Sequence, residues 1–277
     1  MRKEQLAEYP TALFEQTFSR ELSKALSWSS PMEKPTAILL AGQPGAGKTQ
    51  LSAYFFRQSR NTSILINGDD YRRYHPKYHA IFEQYPEELV PLTSQFASAF
   101  TEKMIEALSE AKRNLIIEGT GRTAEVPIHT AKLLMNKGYQ MRMAVIAVRP
   151  ELSLLSTLHR FCSMSEMGTV PRPTAVFAHD TVVQNLPHNL DVLYQSNLFA
   201  EMQIIDRREQ TVWCSTHEEN MPSEALTAYW TSEWTEEERK DAADTIAFLL
   251  QRESCLTEDQ IAIIKKIAER AGILTEK

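Results

Sequence analysis

The chain has 277 residues, enough for one large α/β domain with appendages or for two domains. Its 43% hydrophobic and 24% charged content is that of a soluble globular protein, and a net charge of −6 without a strong basic block argues against nucleic acid as the main partner. Met1-Arg2-Lys3-Glu4-Gln5 lacks the apolar core of a signal peptide, no apolar run is long enough for a membrane, and Cys162, Cys214 and Cys255 form no C-x-x-C pair, which predicts a cytoplasmic protein with no disulfide framework or zinc site.

Leu6, Phe14, Phe18, Leu22 and Leu26 recur at helical spacing across residues 5–27, with Pro10 breaking the first turn, and Ser29-Ser30-Pro31 ends that segment. Thr36–Ala41 reads as a buried strand, and Leu51, Ala53, Tyr54, Phe55 and Phe56 read as a helix after it. A second strand, Ser63–Ile66, ends in Asn67-Gly68-Asp69-Asp70, and a long helix covers about 93–112. A third strand, Asn114–Glu118, leads through Gly119 to a helix near 126–137, closed by Gly138. A fourth strand, Met143–Val148, precedes helical segments at 151–165 and 173–187 and a last core strand, Gln203–Asp206. Strands alternating with helices predict an α/β fold, a parallel sheet within a three-layer sandwich.

The tail has a different texture. Thr235-x-x-Glu238 and Thr257-x-x-Gln260 are capping boxes opening two helices, one with Ala242, Ala243, Ile246, Leu249 and Leu250, the other with Ile261, Ile264, Ile267 and Ala268. We therefore expect a body over 1–232 and a helical extension over 233–277. The plain reading of the extension is a hairpin packed on the body; a partner-binding or self-inhibiting element is the alternative.

Gly42-Gln43-Pro44-Gly45-Ala46-Gly47-Lys48-Thr49 matches G-x-x-x-x-G-K-[ST] between a strand and a helix. That arrangement directs backbone N–H groups and a helix N-terminus at a polyphosphate, with Lys48 on the β- and γ-phosphates and the Thr49 hydroxyl on Mg²⁺. In open parallel sheets ligands gather at the carboxyl ends of the strands, where Lys48, Asp69 and Glu118 all fall. Asp69 suits a base that deprotonates an acceptor hydroxyl, although Asp69 or Asp70 could instead cap the segment from Tyr71. Glu118, after four apolar residues, suits a substrate or metal-water contact, and Arg122 follows in the polar loop Gly119-Thr120-Gly121-Arg122. Arg160 and Arg172 flank a stretch with Gly168, Pro171 and Pro173 that could form a lid, and guanidinium groups suit the charge developing on a transferred phosphoryl group. The base-reading motif Asn-Lys-x-Asp is absent, since Asn136-Lys137 is followed by Gly138-Tyr139, which favours ATP over GTP. The seven histidines show no metal spacing and no Ser-His-Asp arrangement can be read; His75 and Tyr74 could touch substrate or serve packing.

With these residues assembled, the chain resembles the zeta toxins of bacterial toxin–antitoxin systems. The match runs through Gly42–Thr49, Asn67-Gly68-Asp69 to His75-Pro76, Ile117-Glu118-Gly119-Thr120-Gly121-Arg122, Val126-Pro127-Ile128 with Thr130-Ala131, and Ala178-His179-Asp180 with Val183 and Asn185-Leu186-Pro187, about residues 10–215 in consistent order. The resemblance implies a P-loop kinase that phosphorylates the 3′-hydroxyl of the amino sugar of UDP-N-acetylglucosamine with ATP, starving cell-wall synthesis, and a small helical antitoxin that blocks the ATP site. Carried over by position, it implies Asp69 as base, Lys48 as the phosphate-loop lysine, Arg160 and Arg172 as γ-phosphate arginines, and Glu102, Glu118, Thr120, Arg122 and Thr130 as nucleotide-sugar contacts. Asn67 and Asp70 depart from the family's pattern around the base, and Thr169-Val170-Pro171-Arg172-Pro173 leaves the alignment of Arg172 open by a residue or two. Two other readings stand beside it: a metabolite or antibiotic kinase of similar fold, and an ATP-binding regulatory protein acting through protein contacts.

Overall fold

The central strands are buried on both faces in the computed structural model, which describes residues 3–60, 62–167 and 174–273. The strands are β1 (Thr36–Ala41), β2 (Ile64–Asn67), β3 (Leu115–Glu118), β4 (Gln140–Ala147), β5 (Glu201–Asp206) and β6 (Thr211–Cys214). They form one sheet in the order β2-β3-β1-β4-β5-β6. The first five pair in parallel, and β6 runs antiparallel to β5 at one edge. The helices are α1 (Lys3–Ala7), α2 (Thr11–Ser27), α3 (Lys48–Gln58), α4 (Gly68–Tyr71), α5 (Tyr78–Gln84), α6 (Leu89–Glu110), α7 (Glu125–Asn136), α8 (Pro150–Glu166), α9 (Val176–Gln195), α10 (Pro222–Thr231), α11 (Glu236–Leu250) and α12 (Glu258–Ala271).

The period-two alternation of a strand divides each central strand between two cores. Ile38, Leu40, Ala144, Ile146 and Ile205 pack with α3, α8, α11 and α12. Ala37, Leu39, Ile64, Ile66, Leu115 and Ile117 pack on the other face with α2, α6 and α7, and Met143, Val145, Met202 and Ile204 meet α9 and α10 on that same side. The result is the three-layer α/β sandwich expected, with an antiparallel edge strand and α10 added to it.

Both tail helices open on reciprocal capping boxes. The Thr235 hydroxyl accepts from Glu238 N–H at 3.1 Å while the Glu238 carboxylate accepts from Thr235 N–H at 2.9 Å, and Thr257 and Gln260 repeat the pattern. Ala242, Ile246, Leu249, Ile264, Ile267 and Ala268 join the same buried cluster as Leu51 and Phe55 of α3. Arg149, just beyond β4 and 2% exposed, ties the tail to the sheet. Its guanidinium donates to Glu238 Oε2 at 3.1 Å, Trp230 O at 2.7 Å, Ser232 Oγ at 2.9 Å and Glu233 O at 2.8 Å, and lies over the Trp234 ring. Glu238 therefore caps α11 and neutralises Arg149 at once.

Candidate active site

β1 ends at Ala41 and α3 begins at Lys48, so the intervening loop curls across the carboxyl end of the sheet. Glycine is required where the curl is tightest. Gly45 has φ +77°, and a Cβ there would stand 2.0 Å from the Ser153 backbone oxygen. Gly47 has φ +102° and is the residue from which α3 starts, without a side-chain cap. The first N–H groups of α3 are not used within the helix and lie at its positive end.

Lys48 Nζ turns back over the loop and donates to Gly42 O at 2.7 Å and Gln43 O at 3.2 Å. Burial lowers its pKa to about 8; Arg160 adds to the shift, while Glu118 and Asp69 oppose it. These four charged groups share one electrostatic neighbourhood although they come from four different elements. Glu118 ends β3 half-buried. Its carboxylate accepts from Ser52 Oγ of α3 and from Asn67 Nδ2 at 3.0 Å. Burial raises its pKa above the usual carboxylate value, against the pull of Ser52 and Lys48.

Asp69 sits in the first turn of α4, exposed towards the same end of the sheet. The cap of that turn is Asn67, whose side chain accepts from Asp69 N–H at 3.0 Å, so the helix starts at Gly68 rather than Tyr71. Arg72 Nε donates to Asp69 Oδ1 at 2.9 Å, and Arg72 is itself held by Val90 O at 2.9 Å and Thr93 Oγ1 at 3.2 Å. His75 is 2% exposed, with Nε2 3.3 Å from Ala7 O, and Tyr74 OH donates to Glu21 at 3.1 Å; both serve packing.

The remaining candidates lie on the loop after β3 and on α3, α6, α7 and α8, apart from Arg172. Thr120 and Arg122 are exposed in the loop after β3, which is stitched to the phosphate loop by Gly42 N–H donating to Thr120 O at 3.4 Å. Thr49 is exposed in the first turn of α3. Arg160 is exposed on α8 and donates to Thr174 Oγ1 at 3.3 Å. Glu102 is exposed on α6, next to Thr101, which abuts Gly68, and Thr130 is half-buried on α7. Arg172 and the proposed lid lie outside the described residues.

The family model described as Zeta toxin matches residues 20–219. The chain belongs to the zeta toxin family. Relatives in that family include a "Toxin zeta" of Enterococcus hirae, 36% identical over 217 residues that make up 78% of this chain and 76% of that protein. A "Toxin PezT" of Streptococcus pneumoniae serotype 4 is 33% identical over 237 residues, 85% of this chain and 94% of that protein. A solved structure from the PezAT chromosomal toxin–antitoxin system of the human pathogen Streptococcus pneumoniae has a TM-score of 0.81 at 31% identity and covers 89% of this chain and 98% of that one. That solved structure thus shares the P-loop sandwich seen here.

Several groups around this zeta toxin site carry no local motif. Arg72 and Arg149 are two. A third is a Ser-His-Asp chain: His179 Nδ1 meets Asp180 Oδ1 at 2.9 Å, His179 Nε2 meets Ser153 Oγ at 2.7 Å, and Gln43 Nε2 donates to Ser153 Oγ at 3.3 Å and Val148 O at 2.7 Å. Ser153 is fully buried, so this chain anchors the phosphate loop and is no nucleophile. The sequence signal for it was present in Ala178-His179-Asp180, but its partners lie 26 residues and more away.

Proposed function

We propose that the chain is an ATP-dependent kinase that transfers the γ-phosphoryl group to the 3′-hydroxyl of the amino sugar of UDP-N-acetylglucosamine, and that it is the cytoplasmic toxin of a toxin–antitoxin pair. The carrying observation is the convergence of Lys48, Asp69, Glu118 and Arg160 beside the phosphate loop in a chain of this family.

In this reading the loop N–H groups and Lys48 hold the β- and γ-phosphates, and Asp69, oriented by Arg72, accepts the proton of the sugar hydroxyl. The freed oxygen attacks the γ-phosphorus, the bond to the β–γ bridging oxygen breaks, and ADP leaves with the pair. Arg160 and Arg172 stabilise charge on the transferring group, so Arg160→Ala would lower kcat more than ATP affinity. Glu118, Thr120 and Arg122, with Glu102 and Thr130 further out, contact the nucleotide sugar. Mg²⁺ draws most of its ligands from phosphate and water and asks for one or two protein oxygens, which the exposed Thr49 hydroxyl and the Glu118 carboxylate fit. When bound it would screen the phosphate charge. A small helical antitoxin would keep the kinase silent in its own cell.

The test is incubation with ATP and a panel of UDP-sugars, read by mass for added phosphate. Phosphorylation of another small molecule instead would favour a metabolite or antibiotic kinase; no ATP consumption with any acceptor would favour a regulatory protein.

A further inference from the structure

Arg207 follows β5 directly and reaches phosphate-loop carbonyls other than the two that Lys48 holds. Its Nη2 donates to Gly45 O at 2.7 Å and to Ser156 Oγ of α8 at 3.0 Å, and its Nε donates to Ala46 O at 3.1 Å. The planar guanidinium therefore grips two consecutive carbonyls as a fork. In a trans peptide the C=O and N–H point to opposite sides, so fixing the Gly45 and Ala46 carbonyls towards β5 turns the Ala46 and Gly47 N–H groups away from it. The Ala46 N–H is engaged by Gln43 O at 3.1 Å, which closes a turn within the loop, and the Gly47 N–H adjoins the start of α3. Gly45 and Gly47, both left-handed and lacking side chains, leave the loop with little stiffness of its own. Arg207 on the Gly45 and Ala46 carbonyls and Lys48 on those of Gly42 and Gln43 supply it.

The charge of Arg207 is half-buried, and burial pulls its pKa down; Asp241 and Glu238 of α11 and Tyr229 of α10 act in the opposite sense. The adjoining Arg208 pairs with Glu237 at 3.2 Å. The start of α11 thus carries carboxylates that act on both arginines at the end of β5.

We propose that Arg207 is a positioning residue of the nucleotide site, holding the Gly45 and Ala46 carbonyls so that the loop keeps the curve that presents the Gly47 N–H and the first N–H groups of α3 to the phosphates. The inference rests on the reading of this loop as the ATP site. It places no contact between Arg207 and nucleotide.

The experiment is titration calorimetry of the full chain with Mg·ATP and Mg·ADP, alongside thermal melting, for wild type, Arg207→Ala, Arg207→Lys and Lys48→Ala. Losing two hydrogen bonds to the loop predicts that Arg207→Ala weakens ATP and ADP by the same factor, about tenfold or more, with kcat at saturating ATP changed less than KM. Arg207→Lys, which keeps the charge and loses the fork, recovers part of the loss. Wild-type affinity in Arg207→Ala overturns the inference, and so does a loss for ATP without one for ADP, which would mean direct contact with the γ-phosphate. If Arg207→Ala does not fold, Arg207→Lys carries the test: parallel partial losses support the inference and unchanged binding overturns it. Lys48→Ala separates the two levels. Undiminished ATP binding in Lys48→Ala removes the nucleotide-site reading itself, whereas weak binding there with normal binding in Arg207→Ala removes only the role of Arg207.

Discussion

In the proposed mechanism Asp69 and Lys48 serve the same step with opposite charges. Asp69→Asn keeps the size of the side chain and its place beside Arg72 but removes the proton acceptor; transfer to the sugar should fall about 100-fold or more while ATP binding is retained. If Asp70→Asn is the damaging change and Asp69→Asn is mild, the base has been assigned to the wrong neighbour. Lys48 makes the site pH-sensitive. Phosphate oxygens favour its ammonium form, and burial has lowered its pKa to about 8, so ATP affinity should be flat below that pH and weaken above it, approaching tenfold per pH unit. A dissociation constant unchanged up to about pH 9.5 would contradict this. The glycines, Lys48 and Glu118 were legible in the sequence because a local pattern carries them. Arg207 was not, since the carbonyls it grips lie 161 and 162 positions earlier and no backbone carbonyl leaves a mark in a sequence.

At the scale of elements, Arg149 shows how one side chain fixes a helix pair. It joins the end of β4 to the link between α10 and α11 through four partners. Arg149→Ala would strand Glu238 and two backbone carbonyls, and should lower the unfolding free energy by about 3 kcal/mol in denaturant melts. Arg149→Lys should rescue little, because an ammonium cannot match the planar array; full recovery would show that charge alone suffices. The first five strands could be read to within a few residues from their apolar runs. β6 was missed because its four residues, Thr211–Cys214, make too short a run, and α10 because it is brief and sits between loops. α9 continues through Pro187 to Gln195, where Leu190 and Leu193 are fully buried; packing of its C-terminal half outweighs the missing N–H. Burial, with the neighbouring Cys255, pushes the Cys162 thiol of α8 up to about 11.

At the scale of the whole molecule, the alternation of elements foretold a parallel sheet, but the strand order and the antiparallel edge came only with the fold, because pairing depends on crossovers that composition does not record. The tail shares a core with α3 and α8. Truncation after about residue 232 should therefore destabilise the protein and not raise kinase activity. We expect the full chain, made without a partner, to harm a bacterial host, and Asp69→Asn to relieve the harm. A benign, inactive full chain beside a toxic, active truncated one would establish inhibition by the tail instead.

The shared core also sets a clock. The apolar side of the phosphate-loop helix is finished only by Ile246 and Leu249 and then by Ile264, Ile267 and Ala268, near the end of the described chain. On the ribosome, the sheet and the loop emerge first and must wait for the last helices before that side of the body closes. A chain stopped short of these helices lacks the side chains that buttress the phosphate-loop helix. In the proposed toxin, that interval would give an inhibiting partner the chance to meet the chain as it folds.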